Sequence, residues 1–251
     1  MNGAMNPFVG HDAATRYRRY RPDYSRHLAS ILSDVGAQAH RALDVAAGTG
    51  ISTAAIASVA REVIAVDASP SMIAQARDIP NASWIVAGAE RLPIRSSTVD
   101  LISIGSALHW VHRDAFVSEA VRVATADAGL IVHDHGFTGQ MDEMADFTTW
   151  VHQRYLRGYP APARGEKLAP GSDLGPFRFV ATHRYEQPVE VSRDTLAGYL
   201  TTQSNLQVVM TSRRAATAVL GWLQKELSPF FIDRDVRTVR FAGMATILQR
   251  R

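Results

Sequence analysis

The sequence predicts an α/β fold with helices on both faces of a mostly parallel β-sheet, and three observations predict it. Strand-like and helix-like segments alternate, which is the order that builds parallel β-α-β units. The first strand-like run, in Ala42-Leu-Asp-Val-Ala-Ala-Gly-Thr-Gly-Ile51, passes straight into a glycine turn. About twenty residues on, Val63-Ile-Ala-Val-Asp67 is a second β-branched run that ends in an acid, as a neighbouring parallel strand would.

The elements follow in order. Residues 12–32 carry Tyr17, Tyr20, Tyr24, Leu28 and Leu32 at helical spacing, and Pro22 is expected to divide them into two helices. Strand one is expected over 41–46, a helix over 51–60 and strand two over 63–67. Ser69 and Pro70 supply N-cap and first-turn chemistry for a helix over 70–77. A third strand follows over 82–87 and a fourth over 99–104, ending at Gly105. Residues 114–124 read as a helix with Phe116, Val117, Ala120, Val121 and Ala124 apolar, and 129–134 as a fifth strand. The remaining strands are expected near 177–186 and 238–248. Between them, 142–159 reads as helical and aromatic, 160–171 as a breaker-rich mobile loop, and 192–203 and 212–227 as helices.

Composition narrows the function. A chain of 251 residues with 46% hydrophobic content can bury a full core as one domain. The absence of cysteine excludes disulfides, thiolate metal sites and cysteine nucleophiles, and it fits a reducing cytoplasm. No long apolar run suggests a membrane span or a signal peptide. The net charge of +3 comes mostly from arginines, with Lys167 and Lys225 the only lysines, and it forms no basic block for nucleic acid.

The glycine turn suits a small cofactor lying against bare backbone. Gly48 and Gly50 can take positive φ and lack a Cβ, so main chain can approach a ligand there. Asp44 discriminates among ligands: a carboxylate repels a pyrophosphate and attracts the ammonium of an amino-acid-like group. Asp67 is placed for two ribose hydroxyls, although it could instead cap the following helix. The amide of Ala89 and the carboxylate of Glu90 can pair with an adenine edge, whose amine donates and whose ring nitrogen accepts.

These pieces resemble the class I S-adenosylmethionine-dependent methyltransferases, and among them the type 11 small-molecule enzymes similar to trans-aconitate methyltransferase. Besides the glycine turn, the resemblance rests on Val66-Asp67-Ala-Ser-Pro-Ser-Met72-Ile, Ala89-Glu90-Arg-Leu-Pro93 and Ser97-Thr-Val-Asp100-Leu. It also rests on Ser106-Ala-Leu-His109-Trp110 and on Tyr17-Arg-Arg-Tyr-Arg21-Pro22-Asp-Tyr24. It covers about the first half of the chain. One departure is Ala46-Ala47, where the family usually has Gly-Cys or a similar pair.

The resemblance implies a Rossmann-like seven-stranded sheet, with the last two strands an antiparallel pair at one edge, the last strand antiparallel, and a small helical lid. In this reading the chain is one domain, 1–251. Residues 1–40 are N-terminal lid helices, 41–136 the cofactor core, and 137–230 include a substrate-side insertion. S-adenosylmethionine is the implied cofactor. Its contacts would come from Ala46, Gly48, Thr49 and Gly50 in the turn, Asp44 before it, and Asp67, Ala68 and Met72 after strand two. Ala89, Glu90, Gly105 and Ser106 would complete the set, and Tyr17 with Arg21 would clamp its carboxylate from the lid. No metal is expected. The partner would be a small-molecule methyl acceptor, with no nucleic acid and no membrane, in the cytoplasm; oligomeric state stays open.

His109 and His135 are the candidate catalytic residues, able to take a proton near neutral pH or to orient the acceptor. His133 and His135 flank Asp134 and are expected on alternating sides of the strand, with His135 nearer its end. Because the sulfonium methyl is already activated, the protein must mainly align a nucleophile and exclude water, and a base is needed only for a protonated acceptor. Arg154 or Arg157 would hold a second anionic group of a carboxylate acceptor, and Phe137, Trp150 and Tyr155 would set selectivity. Two other readings stand beside this one. A nicotinamide dehydrogenase is disfavoured because Thr53 replaces the third small residue of its glycine fingerprint. A regulatory module that binds the cofactor without turnover is the other.

Overall fold

The computed structural model describes residues 10–251, so residues 1–9 of the expected lid lie outside it. Strands β1 (Ala39–Val45), β2 (Ala60–Asp67), β3 (Ala82–Val86), β4 (Val99–Gly105), β5 (Ala124–Met141), β6 (Phe177–Ser192) and β7 (Val236–Arg250) form one sheet. Its order is β3-β2-β1-β4-β5-β7-β6. Pairing is parallel from β3 to β5, and β7 runs antiparallel to both β5 and β6. The expected seven-stranded sheet with an antiparallel last strand is therefore present. Pro188 is tolerated within β6 because that strand lies at the sheet edge.

Before β1 come α1 (His11–Tyr20) and α2 (Ser25–Asp34), separated at Pro22 as expected. Arg21, the residue before that proline, is extended at φ −72° and ψ 129°, because the proline ring disfavours a helical neighbour. Helix α3 (Ile51–Ile56) is shorter than the expected 51–60. Its C-terminal carbonyls are diverted: the Ser58 hydroxyl donates to Ala55 O, and the Asn81 amide donates to Ala57 O and Ala60 O. Ala60 thus starts β2. Helix α4 (Pro70–Ile73) also stops before 77, because Arg77 N is drawn back to Thr49 O at 3.2 Å. Helix α5 (Arg113–Val123) matches expectation, with the His112 side chain accepting from Ala115 N as its N-cap.

β5 is the largest departure. It continues past 134 to Met141, because β7 pairs with it through Phe137 and again at Met141. The extension carries the insertion: α6 (Ala145–Trp150), a π-helical turn (Val151–Leu156), α7 (Arg193–Leu200), α8 (Ser204–Gln207) and α9 (Arg213–Leu227). Phe147, Trp150, Tyr155, Leu196, Leu223 and Phe230 form an apolar cluster of their own, seated on Met141, Val239 and Phe241 at the far ends of β5 and β7. One sheet face packs Leu28, Leu32 and Ile56 of α2 and α3 over Ala42, Leu101 and Ile131. The other packs Phe116 and Ala120 of α5 over Leu43, Ile102 and Leu130. Among the described residues, no helix is long and apolar enough to cross a membrane.

Candidate active site

Parallel strands leave their carboxyl ends free at one edge of the sheet, and the turn after β1 lies there. Its backbone winds through left-handed conformations at Ala46 (φ 56°), Gly48 (φ 56°) and Gly50 (φ 88°). Such a conformation favours glycine, which explains why the resembled family commonly has one where this chain carries Ala46. The two glycines serve different ends. A Cβ on Gly48 would meet nothing nearer than the Met72 methyl at 4.0 Å, so main chain stays open to a ligand. A Cβ on Gly50 would lie 2.8 Å from the Trp84 ring, so that position is bare to admit a protein side chain as well as to take its left-handed φ.

Asp67 locks the turn to β2. Its carboxylate accepts from Gly48 N and from Ser69 N, both at 2.8 Å, while Ser69 rather than Asp67 caps α4 through Met72 N. Burial raises the Asp67 pKa, opposed by those two amide donors. Met72 is buried at the turn, while Ala68 is exposed just beyond the acid.

Asp44 is fully buried on the α2/α3 side. Its Oδ2 accepts from the Ser52 hydroxyl at 2.8 Å and the Thr53 hydroxyl at 2.7 Å, while Oδ1 is buried with no hydrogen-bond partner. Desolvation outweighs these hydroxyls and pushes its pKa up to about 6. The Thr49 hydroxyl, also buried, has no partner either. An unpartnered carboxylate oxygen beside open left-handed backbone fits an ammonium group arriving with a ligand. The residues present therefore fit an amino-acid-tailed nucleoside.

The lid helices bring Tyr17, Arg21 and Tyr24 to this place. The Arg21 guanidinium lies over the rings of Tyr17, at 4.8 Å, and Tyr199, at 5.3 Å, and donates to Thr202 O at 2.8 Å. Its Nε is buried without a partner, and it joins no ion pair among the described residues. The lid is tied down by an Arg77–Asp23 ion pair at 2.6 Å, and Tyr20 packs where a side chain on Gly198 of α7 would stand. Tyr24 stacks on His135 at 4.7 Å and lies 5.9 Å from the His133 ring. Both histidines therefore share one sheet face, because residues two apart on a strand point the same way; the expectation of alternating sides is corrected. His135 sits within β5, not near its end. Burial holds the pKa of His133 down to about 4 and of His135 down to about 3, so both are neutral.

The end of β4 forms a different corner. Gly105 pairs with His133, whose ring would stand 2.2 Å from a Cβ at Gly105. Gly105→Ala is expected to lower stability by about 1–3 kcal/mol through that overlap, read as a lower denaturation midpoint at unchanged slope. Ser106 takes φ 50°; its amide donates to His133 O and its hydroxyl accepts from His135 N. His109 is buried beneath residues 160–171, beside Arg164, Asp134 and Lys167. Burial, with help from Arg164, pulls its pKa down to about 4, so the expected near-neutral titration is not met. The charged and titratable groups that act on His109 are Arg164, Asp134 and Lys167, and those that act on His135 are Arg21, His27 and His133, so the two catalytic candidates stand in separate surroundings.

Several expected roles move. The loop over 160–171, expected to be mobile, is pinned by Gly165 N to His109 O, Lys167 to Asp134 and Arg113 to Glu166 O. Ala89 is buried, and Glu90 spends Oε1 on His112 N at 2.9 Å. Arg154 pairs with Glu226 at 2.9 Å, and Arg157 is exposed. Trp150 and Tyr155 lie in the lid core, where the Tyr155 hydroxyl bonds Gln203 and Asn205 and Gln203 in turn donates to the Tyr199 hydroxyl, while the Phe137 ring packs against Tyr199 directly. The residues beside Arg21 and His135 that the sequence did not mark are Tyr185, Tyr199 and Phe241. They come from the insertion and the last strands, where no local motif marks them.

The sheet order, the left-handed turn after β1 and the acids ending β1 and β2 define a nucleoside-binding methyl-transfer architecture. The family model described as methyltransferase domain matches residues 43–132. A Dictyostelium discoideum protein named as a methyltransferase is 31% identical over 193 residues, spanning 75% of this chain and 73% of its own. The chain therefore belongs to the class I S-adenosylmethionine-dependent methyltransferases, and S-adenosylmethionine is its cofactor. A solved structure from Anaeromyxobacter dehalogenans, named among type II methyltransferases, is 28% identical with a TM-score of 0.70, covering 92% of this chain and 98% of that one. An uncharacterized methyltransferase of Mycobacterium tuberculosis is 33% identical over 112 residues, 44% of this chain and 45% of that protein.

Proposed function

We propose that this enzyme methylates a small molecule bound in the chamber between the lid helices and the ends of β4, β5 and β7. The observation that carries the reading is the chamber's make-up. Tyr17, Tyr24, Tyr199 and Phe137 supply aromatic walls, Arg21 supplies a cation with no ion-pair partner among the described residues, and Asp44 keeps one buried oxygen without a hydrogen-bond partner among them. When bound, the cofactor supplies a methyl already activated by positive charge on sulfur. The chain's own residues have three tasks. Asp44 holds the ammonium, Asp67 keeps the turn in shape and faces the ribose, and the aromatic lid aligns the acceptor and excludes water. Tyr17 and Arg21 reach the cofactor carboxylate from the same lid.

His109, His133 and His135 favour their neutral forms because they are desolvated, which supports an acceptor that reaches the site without needing a strong protein base. Screening carboxylic acids, phenols and amines for release of S-adenosylhomocysteine tests the proposal. Turnover is expected with at least one of these classes. Turnover confined to a nucleic acid or a protein, with the whole small-molecule panel silent, sinks it.

A further inference from the structure

We infer that Tyr185 is a positioning residue that sets His135 as a hydrogen-bond donor toward an acceptor oxygen. The inference rests on reading the chamber as the acceptor site and adds the chemistry of one wall. The sheet register places three residues in one row across its antiparallel edge: Tyr185 opposite Gly243, and Gly243 opposite His135. Gly243 has no side chain, and a Cβ there would stand 2.0 Å from the Tyr185 ring. The tyrosine therefore lies across β7 and brings its hydroxyl to His135 Nδ1 at 3.2 Å. His27 stacks on the Tyr185 ring at 4.6 Å and 11°, which fixes it from the other side.

The imidazole is equally confined. Tyr24 stacks on it at 4.7 Å and Phe241 at 5.4 Å, so the ring cannot turn to exchange its nitrogens. Nε2 is buried with no hydrogen-bond partner among the described residues. A phenol hydroxyl is a stronger donor than acceptor, and burial keeps the Tyr185 hydroxyl protonated. Tyr185 then donates to Nδ1, and the proton of the neutral ring sits on Nε2. The groups facing the ring are Tyr24, His27 and Arg21 from the lid helices, His133 from its own strand and Tyr185 from β6. None is a carboxylate, so none competes for the Nε2 hydrogen.

Arg21 Nε is likewise buried without a partner among the described residues, and the guanidinium charge is felt at His135. That positive field favours, at Nε2, an oxygen that accepts hydrogen bonds. A carboxylate, enolate or phenolate oxyanion accepts such hydrogen bonds more strongly than a neutral hydroxyl or an amine, because its charge adds to the bond. His135 thus serves as a donor that orients the acceptor and takes no proton from it.

Nitrogen NMR of histidine-labelled full-length protein saturated with S-adenosylhomocysteine tests this, with His135 signals identified by their loss in His135→Gln. Wild type is expected to show His135 in a single neutral Nε2–H form. Tyr185→Phe keeps the ring stack and is expected to lose that preference toward an even mixture; Gly243→Ala, which displaces the ring, is expected to do the same. Benzoate is the oxyanion probe and is expected to move the Nε2–H signal further than benzyl alcohol does at equal occupancy, because its acceptor is charged. A wild-type Nδ1–H form, or an unchanged ratio in both variants, overturns the role of Tyr185. A response to benzoate no larger than that to benzyl alcohol overturns the oxyanion. Failure of wild type to bind S-adenosylhomocysteine in the same sample defeats the methyltransferase reading itself, which is a separate outcome.

Discussion

Replacing Asp44 by Asn is expected to weaken S-adenosylmethionine binding by about 2–4 kcal/mol, roughly 30- to 1,000-fold, while making the ligand-free protein more stable. The two effects share one cause. Asp44 is buried with one oxygen unpartnered, and its pKa of about 6 lies above the 3.8 of a solvated carboxyl. Keeping it charged at neutral pH costs the ligand-free fold on the order of 3 kcal/mol. An incoming ammonium recovers that cost, and an asparagine, which never carries it, gains stability at the expense of binding. Calorimetric titration with S-adenosylmethionine and urea unfolding of the same two proteins separate the terms.

The sign with pH follows from the raised value. The folded state holds the Asp44 proton more tightly than the unfolded chain, so this residue's contribution favours folding most below about 3.8. The contribution is lost as pH rises through about 6. Cofactor binding runs the other way. Below about 6 the carboxyl is neutral and the ammonium loses its partner, so affinity falls as pH falls, and the slope should vanish in Asp44→Asn. An unchanged affinity in the variant, with the slope intact, would remove Asp44 from the site.

Asp67→Ala is expected to damage both fold and binding. The substitution strands Gly48 N and Ser69 N, which the carboxylate now satisfies, and each unmet buried amide costs about 1–3 kcal/mol. The expected loss is about 2–4 kcal/mol of stability, a fall in Tm of roughly 5–15 °C for a chain of this size. A further loss of about 1–3 kcal/mol in cofactor affinity is expected if the carboxylate also meets the ribose. Asp67→Asn distinguishes the two, since its carbonyl oxygen can still accept one amide hydrogen. It should recover part of the stability but little of the affinity. Wild-type affinity in a folded Asp67→Asn would leave Asp67 as a structural lock on the turn and nothing more.

Local chemistry made much of the frame legible. Gly48, the Ser69-Pro70 helix start and the break at Pro22 each act within a few residues of themselves, and the acids Asp44 and Asp67 stand at the ends of their strand runs as read, although Asp67 also reaches back to Gly48 N. The failures involve partners distant in sequence. That Gly50 also makes room for Trp84 depends on β3 lying beside β2. The length of β5 depends on β7, more than a hundred residues later, supplying hydrogen bonds beyond Asp134. Trp150 and Tyr155 look like pocket aromatics until α9 and Phe230 close over them. His109 looks titratable near neutral pH until residues 160–171 bury it beside Arg164 and Lys167.

The amino-acid order alone thus carried the alternating architecture, the glycine turn and the acids that point to an amino-acid-tailed nucleoside, because backbone conformation and capping are set by near neighbours. Folding assigned the faces: which histidine meets Tyr24, which arginine keeps no carboxylate, and which tyrosine crosses Gly243 to reach His135. Those assignments depend on strand register and on burial. Both arise only when segments far apart in the chain are packed together and water is removed from between them.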